Sequence, residues 1–164
     1  MKKADVHYRE EVFPEDVLHV QRLAQSAKIF YPQEIDVAVE LVRERLAKGS
    51  QSGYYFLFSE DEKNKVIGYA CFGPIPCTKK NFDLYWIVVD RKHQGQGIGK
   101  ELIKASEKMI SMMGGSRIYA ETSSREQYTD TQQFYLKYGY HEEAILRDFY
   151  APGDNKIIYL KELS

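Results

Sequence analysis

The sequence predicts an α+β domain with a mixed, mostly antiparallel sheet of about six to seven strands, flanked by about four helices. Three observations carry that expectation. The chain opens in the order strand, helix, helix, strand, strand, with the last two reading as a hairpin. At its centre an apolar strand, Leu84 to Val89, runs into a glycine-rich turn that opens a helix. After one more strand and helix, two strands joined through Ala151-Pro152-Gly153-Asp154-Asn155 close the chain. With 164 residues, of which 43% are hydrophobic, residues 1–164 are read as one domain with an adequate core.

The elements follow in order. Val6 to Arg9 is a short edge strand. Pro14 opens a first helix, with Glu15 and Asp16 complementing its dipole and Val17, Val20, Leu23, Ala24 and Ala27 forming its buried face. Ile29-Phe30-Tyr31-Pro32 breaks that helix. A second begins near Gln33, with Ile35, Val39, Val42 and Leu46 on one stripe and Gly49 as its stop. Tyr54 to Phe58 and Lys65 to Phe72 pair across a polar turn. Leu84 to Val89 is β-branched and aromatic, as suits a strand covered on both faces. The helix after it, Lys100 to Met113, carries Leu102, Ala105, Ser106, Met109, Ile110 and Met113 on one face. Arg117 to Glu121 is a strand with Ile118 and Ala120 on one side, Tyr119 and Glu121 on the other. A helix over Tyr128 to Tyr138 ends at Gly139, before strands at Ala144 to Tyr150 and Lys156 to Leu160.

Several function classes are disfavoured. The formal net charge is −1 with both signs interspersed, which argues against nucleic acid as the main partner. No apolar run reaches the roughly 18 residues that a spanning helix needs. Met1 to His7 is followed by no apolar segment, so no signal peptide is expected. Cys71 and Cys77 have no histidine or cysteine at zinc spacing and read as reduced thiols of a cytoplasmic protein. The histidines are scattered, and no metal site is expected. Thirteen tyrosines are many for this length, and some of them are expected to line a ligand groove.

The glycine-rich turn is the sharpest signal. Gly95, Gly97 and Gly99 remove side chains where a helix begins, which gives free N–H donors, a positive dipole end and room for an anion. A P-loop needs Gly-x-x-x-x-Gly-Lys-Ser/Thr; Gly99-Lys100 fits, but Gln94 and Glu101 do not. The dinucleotide fingerprint fails at Lys100 or at Leu102, depending on where it is started. Gln94-Gly95-Gln96-Gly97-Ile98-Gly99 does fit the form Gln/Arg-x-x-Gly-x-Gly/Ala. It resembles the pyrophosphate loop of the GNAT superfamily of N-acetyltransferases, and the resemblance extends over nearly the whole element order. Phe134-Tyr135-Leu136-Lys137-Tyr138-Gly139-Tyr140 looks like that family's second signature, aromatic-Tyr-x-x-x-Gly-aromatic. Tyr128 stands where the family often has asparagine, so that coenzyme contact is lost or replaced.

The resemblance implies an acetyl-CoA-dependent N-acetyltransferase that moves an acetyl group directly to a primary amine: a peptide N-terminus, a lysine or a small-molecule amine. It implies that Gln94, Gly95, Gln96, Gly97, Ile98, Gly99 and Lys100 hold the pyrophosphate. A bulge near Ile87, Val88 and Val89 would free backbone groups for the pantetheine arm and the oxyanion. Tyr135 would serve as the acid for the leaving thiolate, a phenol being neutral yet acidic enough at pH 7. Glu121 would serve as base, at the place where the ribosomal-protein alanine acetyltransferases, similar around Ile118 to Ser123, carry a glutamate. A solvated strand-end glutamate is the plain alternative, and His141 and Glu142 are other candidate bases. Phe30, Tyr31 and Tyr150 are assigned to the acceptor side. The run Asp148 to Asp154 looks like the branch that acetylates protein N-termini, which favours a peptide amine. The rival reading is a non-catalytic acyl-CoA-binding regulatory module. A homodimer is left open.

Overall fold

The computed structural model describes residues 5–164; the expectation for Met1 to Ala4 lies outside the described residues. Among the described residues, seven strands form one sheet: β1 (His7–Arg9), β2 (Tyr55–Glu60), β3 (Val66–Pro74), β4 (Asn81–Val89), β5 (Arg117–Ser123), β6 (His141–Ala151) and β7 (Asp154–Glu162). Their spatial order is β1-β2-β3-β4-β5-β7-β6, and only the β4–β5 pair is parallel. Among the described residues, four α-helices flank it: α1 (Asp16–Ala27), α2 (Pro32–Lys48), α3 (Ile98–Met112) and α4 (Thr129–Lys137). The α+β architecture, the strand count and the helix count agree with the sequence expectation.

Two aromatic-rich clusters hold the sheet to its helices. One packs Val20, Leu23, Val39 and Val42 of α1 and α2 against Phe56, Phe58 and Tyr69. The other packs Ile103 and Ile110 of α3 and Tyr135 of α4 against Phe72, Leu84 and Ile118. Each buried side chain of this size contributes about 1.5–3 kcal/mol, so these layers are the main source of stability.

Local chemistry fixes the helix ends. Asp16, expected in the first turn complementing the helix dipole, stands there at the start of α1. It is also fully buried, accepting the Phe13 N–H at 2.7 Å and both guanidinium nitrogens of Arg9 at 2.8 and 3.0 Å. Arg9 also reaches Glu60 at 2.7 Å, which ties the edge strand to the start of α1. Lys28 adopts φ 57° and ends α1, and Pro32 opens α2. Glu34 then accepts the Tyr31 N–H at 2.6 Å and caps α2.

Three buried-face assignments change. On α2 the core takes Ala38 and Leu41 beside Val39 and Val42, while Leu46 is 39% exposed. On α3 Ile103 and Glu107 are buried, whereas Met113 lies past the helix end. Glu107 is tolerated because the Lys161 ammonium reaches both of its oxygens, at 2.7 and 2.8 Å. β4 starts at Asn81 instead of Leu84 and is not covered evenly on both faces: Phe82, Leu84 and Val88 are buried, while Asp83, Tyr85 and Ile87 are only partly so. The cause is an opening in the sheet.

Candidate active site at the splayed strands

β4 and β5 pair in parallel only from Asn81/Arg117 to Leu84/Ala120. Beyond that point the strands part. On its other side, β4 is matched to β3 with Cys71 opposite Trp86 and Phe72 opposite Leu84, so Tyr85 is an inserted residue. The bulge therefore sits at Tyr85, not at Ile87 to Val89 as the sequence reading expected. An extra residue bends its strand and increases local twist, which turns the end of β4 away from β5.

The residues after the bulge are still placed for backbone contacts. Asp90 donates its N–H to Ile67 at 2.7 Å, which sets the alternation on an antiparallel ladder. By that alternation Val88 and Trp86 turn their backbone groups toward β3, and Ile87 and Val89 turn theirs into the opening. The Val89 carbonyl accepts the Gln94 amide at 3.4 Å, as expected of a group facing that way. Among the three residues singled out, Ile87 and Val89 turn backbone edges away from β3, while Val88 contributes a buried side chain.

The glycine turn follows directly. Gly95 and Gly97 have φ of 79° and 85°, a conformation that costs residues with a Cβ about 1–2 kcal/mol. Among the described residues nothing lies within 4 Å of a Cβ built on either, so both glycines serve the backbone path and an open approach. Gly97 precedes α3 without a side-chain cap. The first helical donor is the Glu101 N–H, to the Gly97 carbonyl at 3.1 Å, which leaves the N–H groups of Ile98, Gly99 and Lys100 outside the helical ladder. A Cβ on Gly99 would meet the Phe134 ring at 3.1 Å, so this glycine brings α3 close to α4. Ile98 itself is buried, and Lys100 is exposed on the helix surface.

A cleft of about 720 Å³ opens where the strands part. Ile87, Val88, Val89, Gln94, Glu121 and Tyr135 all reach it, as do Phe30, Tyr31, Tyr128 and Tyr150. Seven of the thirteen tyrosines line it, in keeping with the tyrosine count. The loop residues Gln96, Gly97 and Ile98 border a separate, smaller hollow on the β1 side.

Tyr135 lies in the cleft wall at 4% exposure, between Tyr140 and Tyr159. Burial, and then the neighbouring Tyr159, raise its phenol well above the ordinary range, so it stays protonated at neutral pH. Glu121 faces the cleft from β5, with the Lys156 ammonium 2.8 Å away. Sequence reasoning missed its neighbour. Asp83 lies opposite Tyr119 in the parallel register, on the face shared with Glu121. Burial and the Glu121 charge push its carboxyl up to about 6, against the opposing pull of Lys156. A polar residue interrupting the apolar run Phe82-Asp83-Leu84 was the available signal. His141 and Glu142, the other candidate bases, are exposed on β6.

The far side of the cleft is a connected set of side chains. The Tyr128 hydroxyl donates to the Glu34 carboxylate at 3.3 Å. Phe30 stands edge-on to Trp86 at 4.8 Å and to Tyr128 at 6.2 Å. The Arg125 guanidinium lies 4.3 Å from the Tyr31 ring centre and 5.2 Å from that of Tyr128, and its Nε reaches Asp154 at 3.4 Å. Ser123 donates a short hydrogen bond to the same aspartate. The Tyr150 phenol is pushed up to about 12 by burial and then by Glu121, Glu34 and Asp154. No group of three or more metal-ligating side chains occurs among the described residues, and no helix is long and apolar enough to cross a membrane. Cys71 is buried and Cys77 exposed, both as free thiols.

Comparison with known proteins bears on this geometry. Residues 20–140 match the Acetyltransferase (GNAT) family profile. A GNAT-family protein from Desulfovibrio desulfuricans superposes with a TM-score of 0.94 at 42% identity, over 97% of this chain and 99% of that one. PaiA N-acetyltransferase from Thermoplasma acidophilum, solved in complex with coenzyme A, gives 0.74 at 19% identity, over 97% and 99%. The ribosomal-protein-S18-alanine N-acetyltransferase from Escherichia coli gives 0.76 at 17% identity, over 97% and 94%. The N-acetyltransferase YuaI from Bacillus subtilis is 33% identical over 63 residues, a stretch covering 37% of this chain and 36% of that protein's length.

Proposed function

The chain belongs to the GNAT family of acetyltransferases, and from that premise we propose that it transfers an acetyl group from acetyl-CoA directly to a primary amine in the cleft between β4 and β5. One observation carries the reading: where the sheet splays, the free edge of β4, Tyr135 and two carboxylates face a single cleft, and the glycine turn follows directly from β4.

The donor fits the groups present. Ile87 and Val89 offer backbone donors and acceptors to an extended amide-bearing arm, as an added strand would use them. The N–H groups at the start of α3 face a diphosphate with the positive end of the helix dipole, and Lys100 adds charge from the surface. Tyr128 occupies the position of the family's asparagine, and its bond to Glu34 gives it a bracing role over the coenzyme path.

The chemistry is a proton problem. A lysine-like ammonium, with a pKa near 10.4, costs about 4–5 kcal/mol to present as a free amine at pH 7. The Asp83/Glu121 pair is the proton acceptor. Glu121 is engaged by Lys156, so Asp83, half-buried and with its carboxyl pushed up to about 6, is the better poised of the two. The ammonium gives one proton to the carboxylate, the resulting amine nitrogen forms a bond to the thioester carbon, and the second proton it then sheds replaces the one that Tyr135 passes on. The carbon–sulfur bond breaks as the outward N–H of the β4 edge steadies the oxyanion. Tyr135 gives its proton to the departing thiolate. No cysteine lines the cleft, so no acyl-enzyme step is invoked. We take residues 1–164 as one domain and place the reaction in the cytoplasm, where two free thiols are at home.

The test is to offer acetyl-CoA with a mixed pool of metabolite amines and peptides and to identify products by mass spectrometry. Acetylated amine and free coenzyme A in equal amounts are expected. Coenzyme A binding with no acetylated product from any member of the pool would remove the catalytic reading.

A further inference from the structure

The acceptor class left open by family membership is addressed by the contacts around Arg125. Two walls flank the acceptor side: the α1–α2 connection, carrying Phe30 and Tyr31, and the β6–β7 turn, ending at Asp154. They are not separate. Arg125, from the segment between β5 and α4, stacks on the Tyr31 ring at 4.3 Å and pairs through Nε with Asp154 at 3.4 Å. Its Nε also lies 3.2 Å from the Ser123 hydroxyl. One guanidinium therefore bridges the two walls.

This clasp is well held. The side chains of Arg125 and Asp154 are 19% and 12% exposed, and Asp154 takes a second, short hydrogen bond from Ser123. Opening it would leave a buried carboxylate without its cation, which is strongly unfavourable. An extended polypeptide needs a lane one strand wide, about 5 Å between backbones, with room for side chains on both sides. A bridged gap offers no such lane. Tyr150, 47% exposed, lines the same cleft as the carboxylates of Asp83 and Glu121, the latter paired with the Lys156 ammonium at 2.8 Å. Aromatic rings leading to carboxylates suit an ammonium group on a slim aliphatic stem.

We propose that the acceptor is a small, unbranched primary amine and that the Tyr31–Arg125–Asp154 clasp excludes peptide N-termini. The proposal rests on the acetyltransferase reading above and reverses the peptide preference drawn from the run Asp148 to Asp154. Arg125 acts here as a specificity residue and touches no reacting atom.

The experiment compares kcat/KM of the full chain for n-butylamine and its terminal diamine homologue with that for an alanine-initiated hexapeptide lacking lysine. The amines are expected to lead by about 100-fold or more. Tyr31→Ala, which truncates an exposed ring, and Arg125→Lys, which keeps the charge but loses the planar stack, should each shrink that ratio about tenfold by admitting peptide. A wild-type preference for the peptide overturns the proposal, and so does a ratio that neither variant changes. Coenzyme A binding without turnover of either acceptor class overturns the transferase reading itself, and the acceptor proposal with it.

Discussion

The two sides of the cleft are built on opposite plans. The proposed donor side is one continuous piece of chain, Ile87 to Lys100, and it presents mostly backbone: outward edges of β4 and uncapped N–H groups of α3. The proposed acceptor side is assembled from α1–α2, β4, β5, the segment before α4, and the β6–β7 turn, and it presents side chains. Backbone recognition depends on chain path and tolerates exchange of most side chains. Side-chain recognition depends on which residue stands at each place, so a few substitutions suffice to change the acceptor. A transferase with one donor and adjustable acceptors benefits from keeping these functions apart.

Substitutions on each side should therefore have different kinetic signatures, and the largest effects are expected where both substrates meet. Asp83→Asn should lower kcat/KM for the amine by about 10²- to 10⁴-fold while leaving coenzyme A affinity unchanged. A change below tenfold would return the base to Glu121. Tyr135→Phe should reduce kcat by about 10²-fold for every acceptor, read by stopped-flow thiol release, because the thiolate loses its proton donor. An unaltered rate would remove Tyr135 from the mechanism.

Smaller effects separate the halves. Gly97→Ala introduces a Cβ at φ 85° with none of the described residues near it, so its cost of about 1–2 kcal/mol is conformational. It should raise the acetyl-CoA KM by about tenfold and shift it equally for all amines. An acceptor-dependent shift would break the separation of the two sides.

The finest test is pH. A base must be ionised to act, so kcat/KM should fall as pH drops below about 6, where the Asp83 carboxyl takes up its proton. After burial, the Glu121 charge is the next cause holding that value up, and Lys156 opposes it. Glu121→Gln should therefore move the acidic limb to lower pH, and Lys156→Met should move it to higher pH. Movement of both limbs in the same direction would show that the pair does not tune Asp83.

The sites differ equally in how they were readable. Gln94 to Gly99 could be tested letter by letter against known loops, because an anion cradle at a helix start is built from near neighbours in sequence. Tyr135 was legible for the same reason, as part of one short signature. Asp83 was not, although it stands four residues before Ile87. Its place in the cleft arises from β4 lying parallel to β5 and from a bulge at Tyr85, and neither leaves a periodic trace in the sequence. The bulge was misplaced because residues 84 to 89 are uniformly apolar or aromatic and give no register of their own.

The sequence by itself determined the α+β order, the glycine turn at the head of α3 and the phenol in the second signature. These depend on hydrophobic periodicity, positive φ and spacing within one or two turns of chain, which are local quantities. The tertiary structure alone decided where the sheet splays, which carboxylate is raised toward neutrality, and that Arg125 joins Tyr31 to Asp154. Each of these depends on desolvation or contact between residues tens of positions apart, and only the folded chain brings those residues together.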